Sequence, residues 1–189
     1  MGRTKARRTL QAECSVEGIK RLADQIRQYS IDIEQANNKF VRRLAEEGFD
    51  IARIAVYNGL DPETWNGRLI YPYDVDKDVG VFAIENDDSG EIDGVCLSFT
   101  GSQVLFIEFG SGWYWNGAVN PKAKKFGYGV GTYPGQKHAF DENGWSYQGE
   151  DGKWRKSMGT QATMPMYKAS VAIREKLVAI AKEVYQSVI

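Results

Sequence analysis

Few residues of this 189-residue chain have both the type and the spacing that chemistry requires. His138 is the only histidine, which excludes a site with two histidine ligands. A cysteine–histidine nucleophile would have to recruit Cys14 or Cys96, and neither has a supporting sequence around it. No serine sits in a G-x-S-x-G turn. In DVDKDVGVFAIE, Asp74, Asp76, Asp78 and Glu85 fall at positions 1, 3, 5 and 12 of a calcium loop, but position 6, where glycine makes the sharp turn, is Val79. A solvated acidic turn before a strand fits better. GYGVGT, residues 127–132, has the glycines of a phosphate loop without the helix N-terminus that would hold the anion. Glu108 interrupts the apolar run VLFIEFG. As a strand-end carboxylate it offers a general acid, with Asp141 or Glu142 as a second group. The preferred reading is structural: the carboxylate accepts N–H groups of the glycine turn at Gly110 and Gly112, or pairs with a cation. The expectation is a protein that is not an enzyme and needs no metal or cofactor.

The other chemically capable groups suit recognition. Trp113, Tyr114, Trp115, Tyr133, Trp145, Tyr147 and Trp154 crowd a glycine-rich stretch. Tryptophan and tyrosine dominate the centres of protein–protein contacts, and their exposed faces also stack on sugars. Packing of the loop onto its own domain competes with both. Arg3, Lys5, Arg7 and Arg8 form a basic arm with no acid before Glu13. The arm is read as a solvated terminus that can reach nucleic acid or an acidic protein surface. Elsewhere charge is balanced, with 24 basic and 25 acidic residues, so nothing global points to a polyanion. No apolar run approaches the length of a membrane span, about 20 residues, and no apolar h-region follows the basic start. Two cysteines suit a reducing compartment without a disulfide. The expectation is a soluble protein made in a cytoplasm.

The elements that must position these groups read as an α+β domain over residues 15–189, behind a flexible arm of residues 1–14. From Ser15 to Tyr57, Ile19, Leu22, Ile26, Tyr29, Ile33, Phe40 and Leu44 form one helical stripe. Ser15 is its N-cap, Asn58-Gly59 its stop, and Gly48 a possible break into two helices. Residues 79–86, 94–101 and 103–110 read as strands of a small antiparallel sheet of three to four strands, with RLIYPYDV as an edge. DDSGEID and TGS are its turns. Residues 111–161 follow as a long loop with neither periodicity, of the kind that is functional or ordered by a partner. Thr163 then caps a C-terminal helix that has Pro165 in its first turn. Both helices are expected on one face of the sheet.

The order of these motifs resembles the tail-completion or neck proteins of long-tailed bacteriophages. In that family a strand ending in Glu-Phe-Gly-Thr-Gly precedes a helix opened by proline. Here Glu108, Phe109, Gly110 and Gly112 match, with Ser111 in the threonine position, and Pro165, Met166, Tyr167 and Ala169 match the helix opening. GVGTYPGQKHAF and GWSYQGEDGKW resemble a longer loop found in some members from phages of Gram-positive bacteria. The likeness covers residues 15–189, each motif being short. It departs at TWNGRL, residues 64–69, where the family's Thr-Gly-x-Leu step carries two extra residues. The resemblance implies a structural virion protein at the junction of tail and head, a neck, connector or minor tail component made in the bacterial host. It implies a homo-oligomeric ring that contacts other neck and tail proteins through residues 111–161 and the arm. Contact of the arm with DNA is compatible with it, and a membrane partner is not expected. A wall-glycan-binding module built on the loop tryptophans is the alternative.

Overall fold

The computed structural model describes residues 10, 13–58, 63–65, 68–70, 79–85, 92–101, 104–112, 119–148, 151–186 and 188. Arg3, Lys5, Arg7, Arg8, Asp74, Asp76, Asp78, Trp113, Tyr114 and Trp115, with Gly59 and Pro72, lie outside the described residues.

Helix α1 runs without a break over Val16–Asn58, about 64 Å at 1.5 Å per residue. Ser15 caps it as expected: its Oγ accepts the N–H of Gly18 at 3.0 Å. Gly48 does not divide the helix. A β-carbon there would lie 2.6 Å from Ile173 Cδ1 and 3.2 Å from Leu97 Cδ2. The glycine is therefore where three elements converge, and its propensity cost of ~1 kcal/mol buys that close approach. Ala36, Ala45, Ala52 and Ala55 are buried along the same helix, so small residues form its contact side.

Among the described residues the strands pair as three separate two-stranded antiparallel ribbons. Strands β1 (Glu63–Trp65) and β2 (Arg68–Ile70) are joined by Asn66-Gly67 and pair in the register Trp65↔Arg68. Strands β3 (Val79–Glu85) and β4 (Ile92–Phe99) pair from Val79↔Phe99 to Glu85↔Ile92, with an irregularity between Ile84 and Glu85. This ribbon lies against α1.

The third expected strand of the sheet is a helix. Residues Val104–Phe109 form α2, closed by a Gly110 N–H to Phe106 O bond of 2.7 Å and by Gly110 at φ +78°. A left-handed glycine just past the last turn is a helix stop. Six apolar-rich residues carry no decisive period, so flanking geometry chooses between helix and strand. A strand would throw Ile107 and Glu108 to opposite faces, whereas both are buried here.

The stretch 111–161 also differs from a structureless loop. Its described part holds a single-turn helix α3 (Ala123–Phe126), a series of hydrogen-bonded turns, and a hairpin of β5 (Trp145–Gln148) with β6 (Trp154–Ser157).

The chain closes on α4, Pro165–Tyr185. It runs antiparallel to α1, since Ile173 meets Gly48 while Tyr185 OH reaches Asn37 Oδ1. Ile180, Val184 and Val188 bury against Ala36, flanked by Tyr29, Ile33, Phe40 and Leu44. Phe40 and Tyr185 meet with ring centroids 5.7 Å apart. Arg43–Glu183 at 3.0 Å and Lys176–Glu47 border the seam in solvent. Such exposed pairs add little, ~0–1 kcal/mol each, so the buried apolar seam holds the two helices together.

Candidate functional site

The densest polar construction in the described structure surrounds Glu108. Helix α4 begins without a cap of its own. Its N-cap residue is Met164, which has no acceptor side chain and sits at φ 56°. Pro165 at the first helical position has no N–H to satisfy. The next two N–H groups, of Met166 and Tyr167, point at Glu108: Met166 N lies 2.9 Å from Oε2 and Tyr167 N 3.0 Å from Oε1. A carboxylate from a distant element thus replaces the missing cap and places negative charge on the helix N-terminus, where the macrodipole favours it.

Asn120 completes the arrangement. Its Nδ2 donates to Glu108 Oε1 at 2.8 Å and to the Glu108 carbonyl at 3.2 Å, while its Oδ1 accepts from Lys122 N at 2.8 Å. Glu108 is only 7% exposed and Asn120 is fully buried. Glu108 is a structural acceptor of a different kind from the one expected: its partners are the first turn of α4 and the Asn120 amide rather than the N–H groups of the glycine turn or a cation. With three N–H donors on its two oxygens, the carboxylate has no geometry for a general acid. Asp141 is occupied in its own turn by Asn143 N at 2.9 Å, and both Asp141 and Glu142 are exposed.

Around this anchor the backbone folds into a clasp. Thr163 N donates to Ile107 O at 2.9 Å, Ser111 N to Thr160 O at 3.0 Å, and Thr160 N to Ser111 Oγ at 2.9 Å. Gln136 Nε2 donates to Ser111 O. At the crossing, a β-carbon on Gly159 (φ +84°) would lie 2.4 Å from Gly112 Cα, and one on Gly112 would lie 2.2 Å from Met158 O. The two glycines therefore let two backbones touch. Thr163, expected as the cap of α4, does not serve: its Oγ1 is buried and makes no hydrogen bond.

Tyr133 is turned inward. Its hydroxyl lies 3.0 Å from Leu105 O and 2.9 Å from Gly110 O, so one donor bridges both ends of α2. Its ring meets Phe106 edge-on at 4.7 Å and stacks on Tyr128 at 6.0 Å. Burial, with a smaller contribution from Tyr128, pushes its phenol from 10.0 up to about 12.

The hairpin residues face the other way. Trp145 and Tyr147 share a face with their cross-strand partners Ser157 and Arg155, while Trp154 lies on the opposite face with Gln148. Trp145 is partly buried, and Trp154 is 66% exposed. Among the described residues, the two hairpin indoles, Trp145 and Trp154, therefore lie on opposite faces of the ribbon. The tip is organised by Asp151, which takes Lys153 N at 3.3 Å and Arg155 at 3.1 Å. The Lys153 N–H bond is the main cause that holds its carboxyl below the usual range; desolvation opposes it, and the charge and hydrogen bond of Arg155 and then the Lys153 charge add to the lowering.

Among the described residues no group of three or more histidine, cysteine or acidic side chains is placed to hold a metal ion, and no helix is long and apolar enough to cross a membrane. A hollow of about 400 Å³ along α1, lined by Gln35, Asn38, Lys39, Arg42, Arg43 and Glu46, is open to solvent. His138, Cys14 and Cys96 are exposed.

Sequence reasoning missed Asn120 and Gln136, and it placed Ser111 in the motif without its hydrogen bonds to Thr160. The Asn120-Pro121 pair signals a turn, but nothing local says that the asparagine is buried against a carboxylate 12 residues earlier. The chain matches no protein-family model, no curated protein and no solved structure.

Proposed function

We propose that the protein is a structural component of a bacteriophage virion at the tail–head junction, contacting neck and tail proteins and further copies of itself. One observation carries this reading. The two motifs on which the resemblance rests, FIEFGSG and the proline-led ATMPMYKA, are separated by 49 residues, and Glu108 joins them through the Met166 and Tyr167 N–H groups. Motifs tied by one hydrogen-bonded anchor behave as one unit, so their order and spacing weigh more than two short strings would.

The same arrangement suggests how a joint would work. The clasp fixes α2 to the start of α4, and α4 is fixed along α1. From this base the chain extends the β5–β6 hairpin, with Trp154 and Tyr147 exposed. An isolated two-stranded ribbon is marginal in water, so docking on a neighbouring subunit would gain both its aromatic surface and its ordering. Tryptophan and tyrosine are well suited to such contacts.

The test is quantitative peptide mass spectrometry on purified particles of the source phage. A few copies per particle, in a simple ratio to other neck or tail proteins, is the expected outcome. Absence from particles despite good expression would sink this reading.

A further inference from the structure

Helix α1 carries more apolar stripe than the described residues cover. Ile19, Leu22, Ile26, Tyr29, Ile33 and Ala36 follow alternating steps of three and four, the spacing of a heptad seam. From Tyr29 onward α4 fills that seam, and Val188 packs at its far end. Before Tyr29 the stripe continues into solvent: Ile19 is 61% exposed, Ile26 51% exposed, and Leu22 partly buried. The helix stays regular there, capped by Ser15.

We propose that this uncovered stretch is a self-association surface, on which the same stretch of a second copy lies antiparallel. Continuity with the internal seam is the first argument. The α4 lane on α1 is antiparallel and ends near Tyr29, so an antiparallel α1 from a second copy takes up the same lane where α4 stops. A two-fold axis near residue 24 brings Leu22 of one copy against Ile26 of the other and covers both stretches at once, as an isologous contact requires. A parallel pair would instead drive the two α4 ends into one space.

Charge placement is the second argument. The positions flanking the stripe are Gly18, Ala23, Gln25 and Ser30, all neutral. The charges of this stretch face outward, where Arg27 pairs with Asp24 at 3.4 Å. A copy approaching the stripe meets no like charge, and a strongly charged foreign helix would find no counter-charge beside it. The contact spans about 11 residues, roughly 16 Å of helix. That is below the size of stable complexes, so the dimer is reversible.

Sedimentation velocity on the full chain, from about 5 to about 500 µM, reads this directly. The expected result is a monomer at the low end shifting to a dimer at the high end. Ile26→Asp should abolish the shift while leaving the melting temperature unchanged, because Ile26 is exposed. A chain that stays monomeric throughout overturns the proposal, as would happen if another segment of the chain covered the stripe. A dimer that Ile26→Asp leaves intact also overturns it. Orientation is read by mixing Leu22→Cys and Ile26→Cys chains in a Cys14→Ser, Cys96→Ser background. A dominant mixed disulfide is expected, and dominant homodisulfides of Leu22→Cys overturn the antiparallel arrangement. None of these outcomes depends on the virion reading, so absence from particles leaves the proposal standing.

Discussion

Glu108 and Trp154 belong to the same stretch between the β3–β4 ribbon and α4, yet they sit in opposite surroundings. Around Glu108, the carboxylate and its three N–H donors lie where water does not compete, and backbones touch at Gly112 and Gly159. Around Trp154, strands β5 and β6 pair with each other and expose most of both faces. The contrast separates two uses of polar and aromatic residues. Buried hydrogen bonds in the clasp are costly to leave half-made, which makes the clasp stiff. The hairpin leaves Tyr147 and Trp154 exposed, so little buried surface depends on them. Substitutions should therefore sort by region: large effects on folding in the clasp, small effects on folding but large effects on assembly in the hairpin.

The sharpest way to break this contrast is Glu108→Ala. It orphans two helix N–H groups and the Asn120 amide, and we expect a loss of about 3–5 kcal/mol. In thermal melts that corresponds to a fall of roughly 6–20 °C for a chain of this size. A change within about 2 °C would show that α4 does not need the anchor. Gly159→Ala comes next, at about 2–4 kcal/mol, because the left-handed φ and the Gly112 backbone leave its methyl no room. Urea denaturation would show the midpoint moving down. An unchanged midpoint would mean that the two backbones can separate freely.

Tyr133→Phe should cost about 1 kcal/mol at neutral pH for one lost hydrogen bond, and its pH dependence is the more telling measurement. The fold raises this phenol from 10.0 to about 12, so its contribution is full below pH 10.0 and is lost as pH rises through about 12. Wild type should lose stability faster than Tyr133→Phe across that window, and parallel curves would refute the buried, bridging hydroxyl. Smallest in stability is Trp154→Ala, expected within about 0.5 kcal/mol. Its incorporation into particles, scored by mass spectrometry, should nevertheless fall well below wild type. Normal incorporation would remove the hairpin from the proposed joint.

Much of the helical frame was legible because periodic apolar residues over 40 positions leave few alternatives. The α1 stripe, its Ser15 cap and the C-terminal helix follow from such repetition. The antiparallel β3–β4 pairing follows from turn residues between two β-rich runs. Residues 103–110 read as a strand because a short run of five apolar residues and one glutamate, ending in glycine, suits either element. Their helix is decided by burial of Ile107 and Glu108 together and by the left-handed Gly110. Gly48 shows the same limit. Its helix cost is a local quantity, and its benefit lies in Ile173 and Leu97, which no local window contains.

What the sequence by itself determined was composition and period: an α+β chain with a long amphipathic helix, and an odd carboxylate inside an apolar run. Only the tertiary structure decided what the carboxylate does. Hydrogen bonds between Glu108, Asn120 and the first turn of α4 join residues up to 59 apart. Such bonds form only where packing has already removed water and brought α2 and α4 within 3 Å of a shared polar contact. Periodicity reports which side of an element seeks burial. It does not report which other element will be waiting there.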